Sequence, residues 1–324
     1  MAPNHSFNGL LGRGAERSFW LALGLVLVTA CSEGREGAPP LEVERLTLVP
    51  PGRCELYAIE CTNTSALLVD RFEVTHEEWQ RVMVREGRSS APREFEGGWE
   101  GGSSDWPATG MNLAEARQFA AIRGMRLPTV SEWMRIASGT RAQRWPWGSS
   151  AQTSAANTSD LGLFRPVPVG TFQNGRTSSG DHHDGAHDML GNVWEWTEPP
   201  LPEGILPSSA MTDPVLRYEV WALGGSFNTQ ARTLHSLGAT QRPEFFAQGI
   251  SPDHRARDLG LRCIVDAEEY LWREAPGWEA EDLEARMRAL GRTWGLAAVP
   301  ILERLAAREG APEALSWILA GARQ

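Results

Sequence analysis

Between Gly139 and Gly185 the chain shows almost no hydrophobic periodicity and is punctuated throughout by Gly, Pro, Asn and Ser. That stretch constrains the fold more than any other feature. A long structureless segment is uncommon inside a compact domain, so something other than a backbone ladder must order it. Aromatic side chains are one device. The chain holds 14 Trp but only 3 Tyr, with 33 Gly and 21 Pro, as expected where large rings pin irregular backbone. A bound cation is a second device. Hydrophobic residues make up 41%, which is ordinary for a chain that buries a core.

Regular elements flank the irregular stretch. Leu46–Val49, followed by Pro50-Pro51-Gly52, reads as a strand entering a turn. Leu67–Val74 reads as a second strand. Thr75 with Glu78, Asn112 with Glu115, and Thr129 with Glu132 each set a capping oxygen three residues before a Glu, so each predicts a helix start. Gly124 and Gly139 are the expected stops of the second and third helices. The segment from Arg85 to Pro107 reads as a surface loop. Beyond Cys263 the texture turns helical: Leu283, Met287, Leu290 and Trp294 form one stripe, Pro300 and Pro312 suit first turns, and Gly291, Gly310 and Gly321 read as stops.

The N-terminal segment reads as an address. Arg13 and Arg17 precede an apolar run from Phe19 to Ala30, too short to span a bilayer, which needs ~20 residues. The run ends Val28-Thr29-Ala30-Cys31 and resembles a bacterial lipobox, with Cys31 the lipidated residue; a plain signal peptide is the alternative. The resemblance implies residues 1–30 as signal peptide, 31–40 as tether, and an exported protein anchored in a membrane, with Ser32 favouring the outer one. Export permits disulfides. Cys54 and Cys61, close in sequence, are the first candidates for a bond, with Cys263 left over and buried; three packed free thiols are the alternative. The net charge of -10 argues against a nucleic-acid partner.

Six motifs in order carry a resemblance over residues 41–266. They are Asp70-Arg71-Phe72-Glu73-Val74-Thr75, Arg126-Leu127-Pro128-Thr129 with Glu132-Trp133, Trp145-Pro146-Trp147-Gly148, Gly191-Asn192-Val193-Trp194-Glu195-Trp196, Leu223-Gly224-Gly225-Ser226-Phe227 and Leu259-Gly260-Leu261-Arg262-Cys263. Together they resemble the formylglycine-generating enzyme, or sulfatase-modifying factor, family. The resemblance implies an α+β variant of the C-type-lectin-like fold with little regular secondary structure, followed by a helical extension over 267–324. Trp133, Trp145, Trp194 and Trp196 are expected to pack.

The same resemblance implies two copper-binding cysteines after the Gly-Gly-Ser motif. Thr229 and Leu234 stand in their places, and neither replaces a thiolate, so copper chemistry is not expected. The structural cysteine that usually pairs with the one at Cys263 falls near Ala120, so that disulfide is missing too. The family's calcium sites map onto Leu190, Gly191 and Val193 by carbonyl and Glu195 by carboxylate, and more loosely onto Asn157, Thr158, Asp160 and Leu163. The family's peptide groove maps onto Trp221, Ser226, Asn228, Thr229, Arg232 and Arg262. Asp181, His182, His183, Asp184, His187 and Asp188 form the densest metal-capable set, in what otherwise reads as a solvated loop. The nonheme-iron oxidases of ergothioneine biosynthesis share the fold, but their helical His-x-x-x-His ligands are not found. The leading expectation is therefore a lipid-anchored binding or scaffold protein for a peptide or protein. The rival is an oxidoreductase using other metal ligands. A carbohydrate-binding module is a third reading, permitted by the fold alone.

Overall fold

A computed structural model describes residues 45–56, 59–87, 104–139, 145–148, 150, 152–177, 185–199, 220–230, 247–278 and 295–322. All of them belong to one compact unit, Ala38–Gln324. Cys31, the signal and tether segments, Arg232, Leu234, the 181–184 part of the His-rich loop and the Leu283–Trp294 stripe lie outside these residues.

Three small sheets organise the chain. Strands β1 (Leu46–Val49), β4 (Leu67–Asp70) and β9 (Ile264–Asp266) form an antiparallel sheet in the order β1-β4-β9. Strands β2 (Gly52–Leu56) and β3 (Ile59–Asn63) form a hairpin whose register sets Cys54 opposite Cys61. Strands β5 (Trp194–Thr197), β6 (Val220–Leu223), β7 (Ala247–Ile250) and β8 (Leu259–Gly260) form the third sheet, in the order β7-β6-β5-β8, with β5 and β8 parallel. The predicted strand through Val74 ends four residues earlier, at Asp70. There Arg71 N–H turns away to the Arg45 carbonyl at 2.8 Å, and Val74 N–H turns to the Leu261 carbonyl at 3.0 Å.

All three expected helix starts form complete capping boxes. Thr75, Asn112 and Thr129 each accept from the third helical amide, and each Glu reaches back, at α1 (His76–Arg85), α2 (Leu113–Ile122) and α3 (Val130–Ser138). This satisfies amides that have no partner within the helix. Gly124 and Gly139 follow the second and third helices with φ of 67° and 63°, a region that glycine enters without strain. Arg126 exchanges two 2.8 Å backbone bonds with Ile264 of β9. Val130 N–H meets the Glu198 carbonyl just past β5. The Arg-Leu-Pro-Thr motif is thus the seam that joins α3 to two sheets.

The third sheet separates two hydrophobic clusters, because successive side chains on a strand point to opposite faces. Trp196, Val220, Ala222 and Ile250 join a large cluster with Leu68, Phe119, Leu127, Leu261 and Cys263, against which Trp194 is partly buried. Trp221 and Leu223 face the other way, into a cluster with Val69, Trp133, Met134 and Met189. The C-terminal helices α4 (Ala267–Glu274), α5 (Val299–Ala306) and α6 (Glu313–Ala322) share the large cluster through Tyr270, Leu271, Ile301, Leu305, Leu315 and Ile318. They join the main core, and α5 and α6 also pack on each other. Gly321, expected as a stop, lies inside α6, whereas Gly310 turns the chain between α5 and α6 with φ of 76°.

The capping box of α3 gives a direct test. Thr129→Ala removes an acceptor for the Glu132 amide and is expected to cost about 1 kcal/mol. The readout is a lower denaturant midpoint at an unchanged slope in urea unfolding.

Candidate functional site

The irregular stretch is ordered around Asn192, which sits at φ of 58° beside Gly191 at 78°. Short polar side chains tolerate that left-handed region better than most. The Asn192 side chain donates to Glu73 Oε2 at 2.6 Å and accepts from Asn157 Nδ2 and from Val167 N–H, while its backbone N–H donates to the Asn157 carbonyl. A Cβ at Gly191 would stand 2.3 Å from that carbonyl, so only glycine allows the approach. Trp145 and Trp147 stack at 5.7 Å, and Trp145 packs with Ala156 and Leu190 in a third small cluster. Sequence reasoning asked what holds this segment; one amide side chain and a glycine do much of it.

Beside this network lies a buried charge centre. Arg262 is 0% exposed. Its guanidinium reaches Glu195 through Nε and Nη2, the Asp70 carbonyl at 2.6 Å, and the His187 carbonyl at 2.7 Å. Trp133 Nε1 donates to the other side of the Glu195 carboxylate at 2.7 Å. Two further carboxylates are buried close by. Burial, together with the charges of Asp188 and Glu195, holds the Glu73 carboxyl well above its ordinary range. Burial, with a smaller contribution from Glu195, pushes Asp188 up to about 6, although Gly170 N–H donates to it at 2.6 Å.

These facts place the residues singled out from the sequence. Arg262 does not line a groove, because it is spent inside the core. Ser226 is fully buried, and Trp221 is buried on the far face of the sheet. Of the groove candidates, Asn228 is exposed and Thr229 half-exposed. Glu195 does not fit as a calcium ligand beside the Leu190, Gly191 and Val193 carbonyls: donors cover its carboxylate, and Arg262 already neutralises it. The looser set fits better. Asn157 Nδ2 is engaged by the Arg165 carbonyl and by Asn192, while Asn157 Oδ1 and Thr158 Oγ1 are buried oxygens with no hydrogen-bond partner among the described residues. In the same loop Asp160 is half-buried and Leu163 exposed. His187 is buried and packs its ring on Phe72 at 4.9 Å. Among the described residues no group of three His, Cys, Asp or Glu side chains is arranged to hold a metal ion.

Sequence reasoning missed the cavity. A space of about 180 Å³ opens beside the third sheet, lined by Trp194, Ala222, Gln248, Ile250, His254, Ala256, Asp258 and Leu259. Trp194, expected only to pack, is half-buried and forms part of this wall. Asp258 ties two turns together there: Ser226 Oγ donates to its Oδ2 at 2.8 Å, and Trp194 N–H donates to its carbonyl at 2.7 Å. The alternation of β5 was the available signal, since Trp194 and Trp196 must share a face and only Trp196 is far enough into the sheet to be covered.

Two outcomes test the charge centre. Glu195→Gln leaves Arg262 buried without its counter-charge and is expected to cost about 3–5 kcal/mol, read as a large fall in melting temperature. Asp188 has a folded pKa raised above its ordinary value of 3.8, so the folded state takes up its proton first. Its charge therefore opposes folding at neutral pH, and that penalty fades as pH falls through 6 toward 4. Asp188→Asn keeps an acceptor for Gly170 and a residue suited to φ of 57°. It is expected to raise stability at pH 7.5 by up to about 3 kcal/mol, with the gain shrinking toward pH 4. Denaturant midpoints measured across that range decide it.

Comparison with known proteins places this geometry. A model of the sulfatase-modifying factor enzyme 1-like domain matches residues 36–267. The hercynine oxygenase of Mycobacterium tuberculosis is 31% identical over 168 residues, covering 42% of this chain and 38% of that protein. The inactive C-alpha-formylglycine-generating enzyme 2 of Bos taurus is 30% identical over 176 residues, covering 50% and 51%. The formylglycine-generating enzyme of Mycobacterium tuberculosis is 28% identical over 187 residues, covering 49% and 57%. The chain thus spans roughly half the length of these curated relatives, or less. Among solved structures, CarF overlaps at 18% identity and a TM-score of 0.48, over 68% of this chain and 97% of that one. Treponema denticola variable protein 1 overlaps at 19% identity and 0.47, over 68% and 94%. With the motifs, the seam and the family match in agreement, the chain belongs to the sulfatase-modifying factor enzyme 1-like domain family.

Proposed function

We propose that this chain is an exported, lipid-anchored binding or scaffold protein, whose domain engages a peptide or protein without oxidising it. The observation that carries this reading is the state of Thr229. At the place where the family resemblance puts the first copper-binding cysteine, the Thr229 hydroxyl accepts the Ser226 N–H at 2.8 Å, and the Thr229 N–H donates to the Ser226 carbonyl at 2.9 Å. The residue closes a turn and offers no soft ligand. Leu234 stands at the second place. Cys263 is free and wholly buried, and burial pushes its thiol well above the ordinary range, so it stays protonated and unreactive. The likeness to a relative named as an inactive enzyme supports the same reading.

The N-terminal address supports anchoring at Cys31 in the outer membrane, and export suits a disulfide between Cys54 and Cys61, whose backbones stand opposite each other in the β2–β3 hairpin. Calcium is the cofactor we propose, held in the loop from Asn157 to Leu163. There Asn157 Oδ1 and Thr158 Oγ1 are the unsatisfied buried oxygens that such an ion would use, with Asp160 adding charge. Its role would be to fix the loop. A second reading, an oxidoreductase with other metal ligands, is favoured by the relatives named hercynine oxygenase.

Incubation of the full chain with copper, oxygen and a cysteine-containing peptide is expected to yield no aldehyde; aldehyde formation overturns the non-catalytic reading. Stoichiometric iron in the purified protein, lost on mutating His182, His183 and His187, would move the conclusion to the oxidoreductase. Added calcium is expected to raise the melting temperature, and Asn157→Ala to abolish that rise.

A further inference from the structure

We propose that the cavity beside the third sheet is a receptor for one cationic head group, an ammonium or guanidinium. The inference deepens the binding reading above and rests on it. Size comes first. At about 180 Å³ the cavity falls below the ~300–1,000 Å³ of ordinary small-molecule sites. A single side chain or head group fits that space.

Charge comes second. Among the described lining residues Asp258 is the one carboxylate. Its Oδ2 is held by the buried Ser226 hydroxyl at 2.8 Å, with Asn228 Nδ2 at 3.4 Å, and Asn228 N–H in turn donates to Ser226 Oγ at 3.2 Å. These are neutral donors. They orient the carboxylate without cancelling its charge, and they leave Oδ1 to accept from a ligand. Ser226 and Asn228 are therefore positioning residues. Arg255 of the same loop is held by Glu115 Oε1 at 2.7 Å and by the Gly110 carbonyl at 3.0 Å. The described lining residues include no Arg or Lys, so an anionic ligand would meet the Asp258 charge.

The third element is the indole of Trp194. Its backbone is fixed twice, by pairing with Leu259 in the parallel β5–β8 register and by the 2.7 Å bond to the Asp258 carbonyl. The ring that lines the cavity and the carboxylate that charges it are thus locked to each other through the main chain. An aromatic ring beside a carboxylate favours a cation through the ring quadrupole and a charge-assisted hydrogen bond together. Gln248 and His254 are exposed on the same wall and complete a polar mouth. The turn that Thr229 closes holds Ser226 beside Asp258, so the residue that replaced a metal ligand now supports the receptor.

The test is calorimetric titration of the full chain with four probes: tetramethylammonium, butylguanidinium, an end-blocked pentapeptide with a central Lys, and the same peptide with norleucine in that place. Saturable binding of the cations is expected, with the Lys peptide about tenfold or more tighter than the norleucine peptide. Asp258→Asn is expected to remove that preference while keeping the melting temperature, since its amide oxygen still accepts from Ser226. A Lys peptide tighter than both free ions assigns the head group to a polypeptide side chain, and equal affinities assign it to a small free amine. Norleucine and Lys peptides binding equally, or no saturable cation binding, overturns the proposal, and neither outcome needs a variant to fold. Equal binding of both peptides would leave the binding reading standing and remove only the cation assignment. Binding of neither the free cations nor any peptide would count against both, and aldehyde formation from a cysteine peptide would strike the binding reading alone.

Discussion

The rest of the structure depends on one buried guanidinium. Arg262 draws together the end of β4 through the Asp70 carbonyl, the irregular stretch through the His187 carbonyl, and β5 through Glu195. Three segments that share no strand pairing with one another meet on one planar group. Desolvating such a pair costs several kcal/mol per ion, and the attraction repays it only when the geometry is good and the remaining donors are satisfied. Here all three nitrogens of the guanidinium have acceptors and the carboxylate has the Trp133 indole as a further donor. The tie contributes less to net stability than its bond count suggests. What it adds is specificity: any other arrangement of these segments leaves a naked charge in the core.

That constraint decides what the neighbouring groups can be. With Glu195 committed to Arg262, a divalent ion at that carboxylate would compete with a fixed positive charge. Glu73 and Asp188 then crowd the same centre with negative charge, and the fold answers by raising their proton affinity. A parallel arrangement holds the first sheet: Asp70 takes both terminal nitrogens of Arg123 at 2.7 Å and the Cys263 N–H at 3.1 Å. Consecutive residues, Arg262 and Cys263, therefore feed two separate buried ion pairs, one on each side of the β4–β9 seam. Ala120 and Cys263 are buried in the same apolar cluster, which braces this side of the seam by packing.

Much of the local grammar was legible in the sequence. A capping box is a short-range device, so Thr129 with Glu132 announces its helix whatever the tertiary context. Gly124 and Gly139 are legible for the same reason. The family motifs were legible as strings, yet their facing was not. Trp194, Glu195 and Trp196 are consecutive, and only the register of β5 against β6 and β8 sends the middle one into the charge centre and the outer two to the opposite face. The same alternation took Trp221 away from the cavity. Arg262 looks like a surface-seeking residue by type, and its burial became visible only with Glu195 beside it. The C-terminal helices show the complementary limit: helical texture after Cys263 does not by itself reveal that Ile301, Leu305, Leu315 and Ile318 join the main core.

Binding without oxidation requires little rebuilding of such a domain. The backbone turn after the Gly-Gly-Ser motif must be closed, and a hydroxyl at Thr229 closes it by accepting the Ser226 amide. A thiolate engaged with a metal is not free to do this. At Thr229 the side chain is thus part of the turn, separate from the Asn192 network and the Arg262 centre. The scaffold energetics lie in those buried ties and not in the turn, so the two can change independently. The cavity lies on the sheet face away from the Arg262–Glu195 pair, with Trp194 and Glu195 adjacent in sequence but facing opposite ways. A new ligand preference can therefore be written at Asp258 and Trp194 without disturbing the interaction that holds the fold.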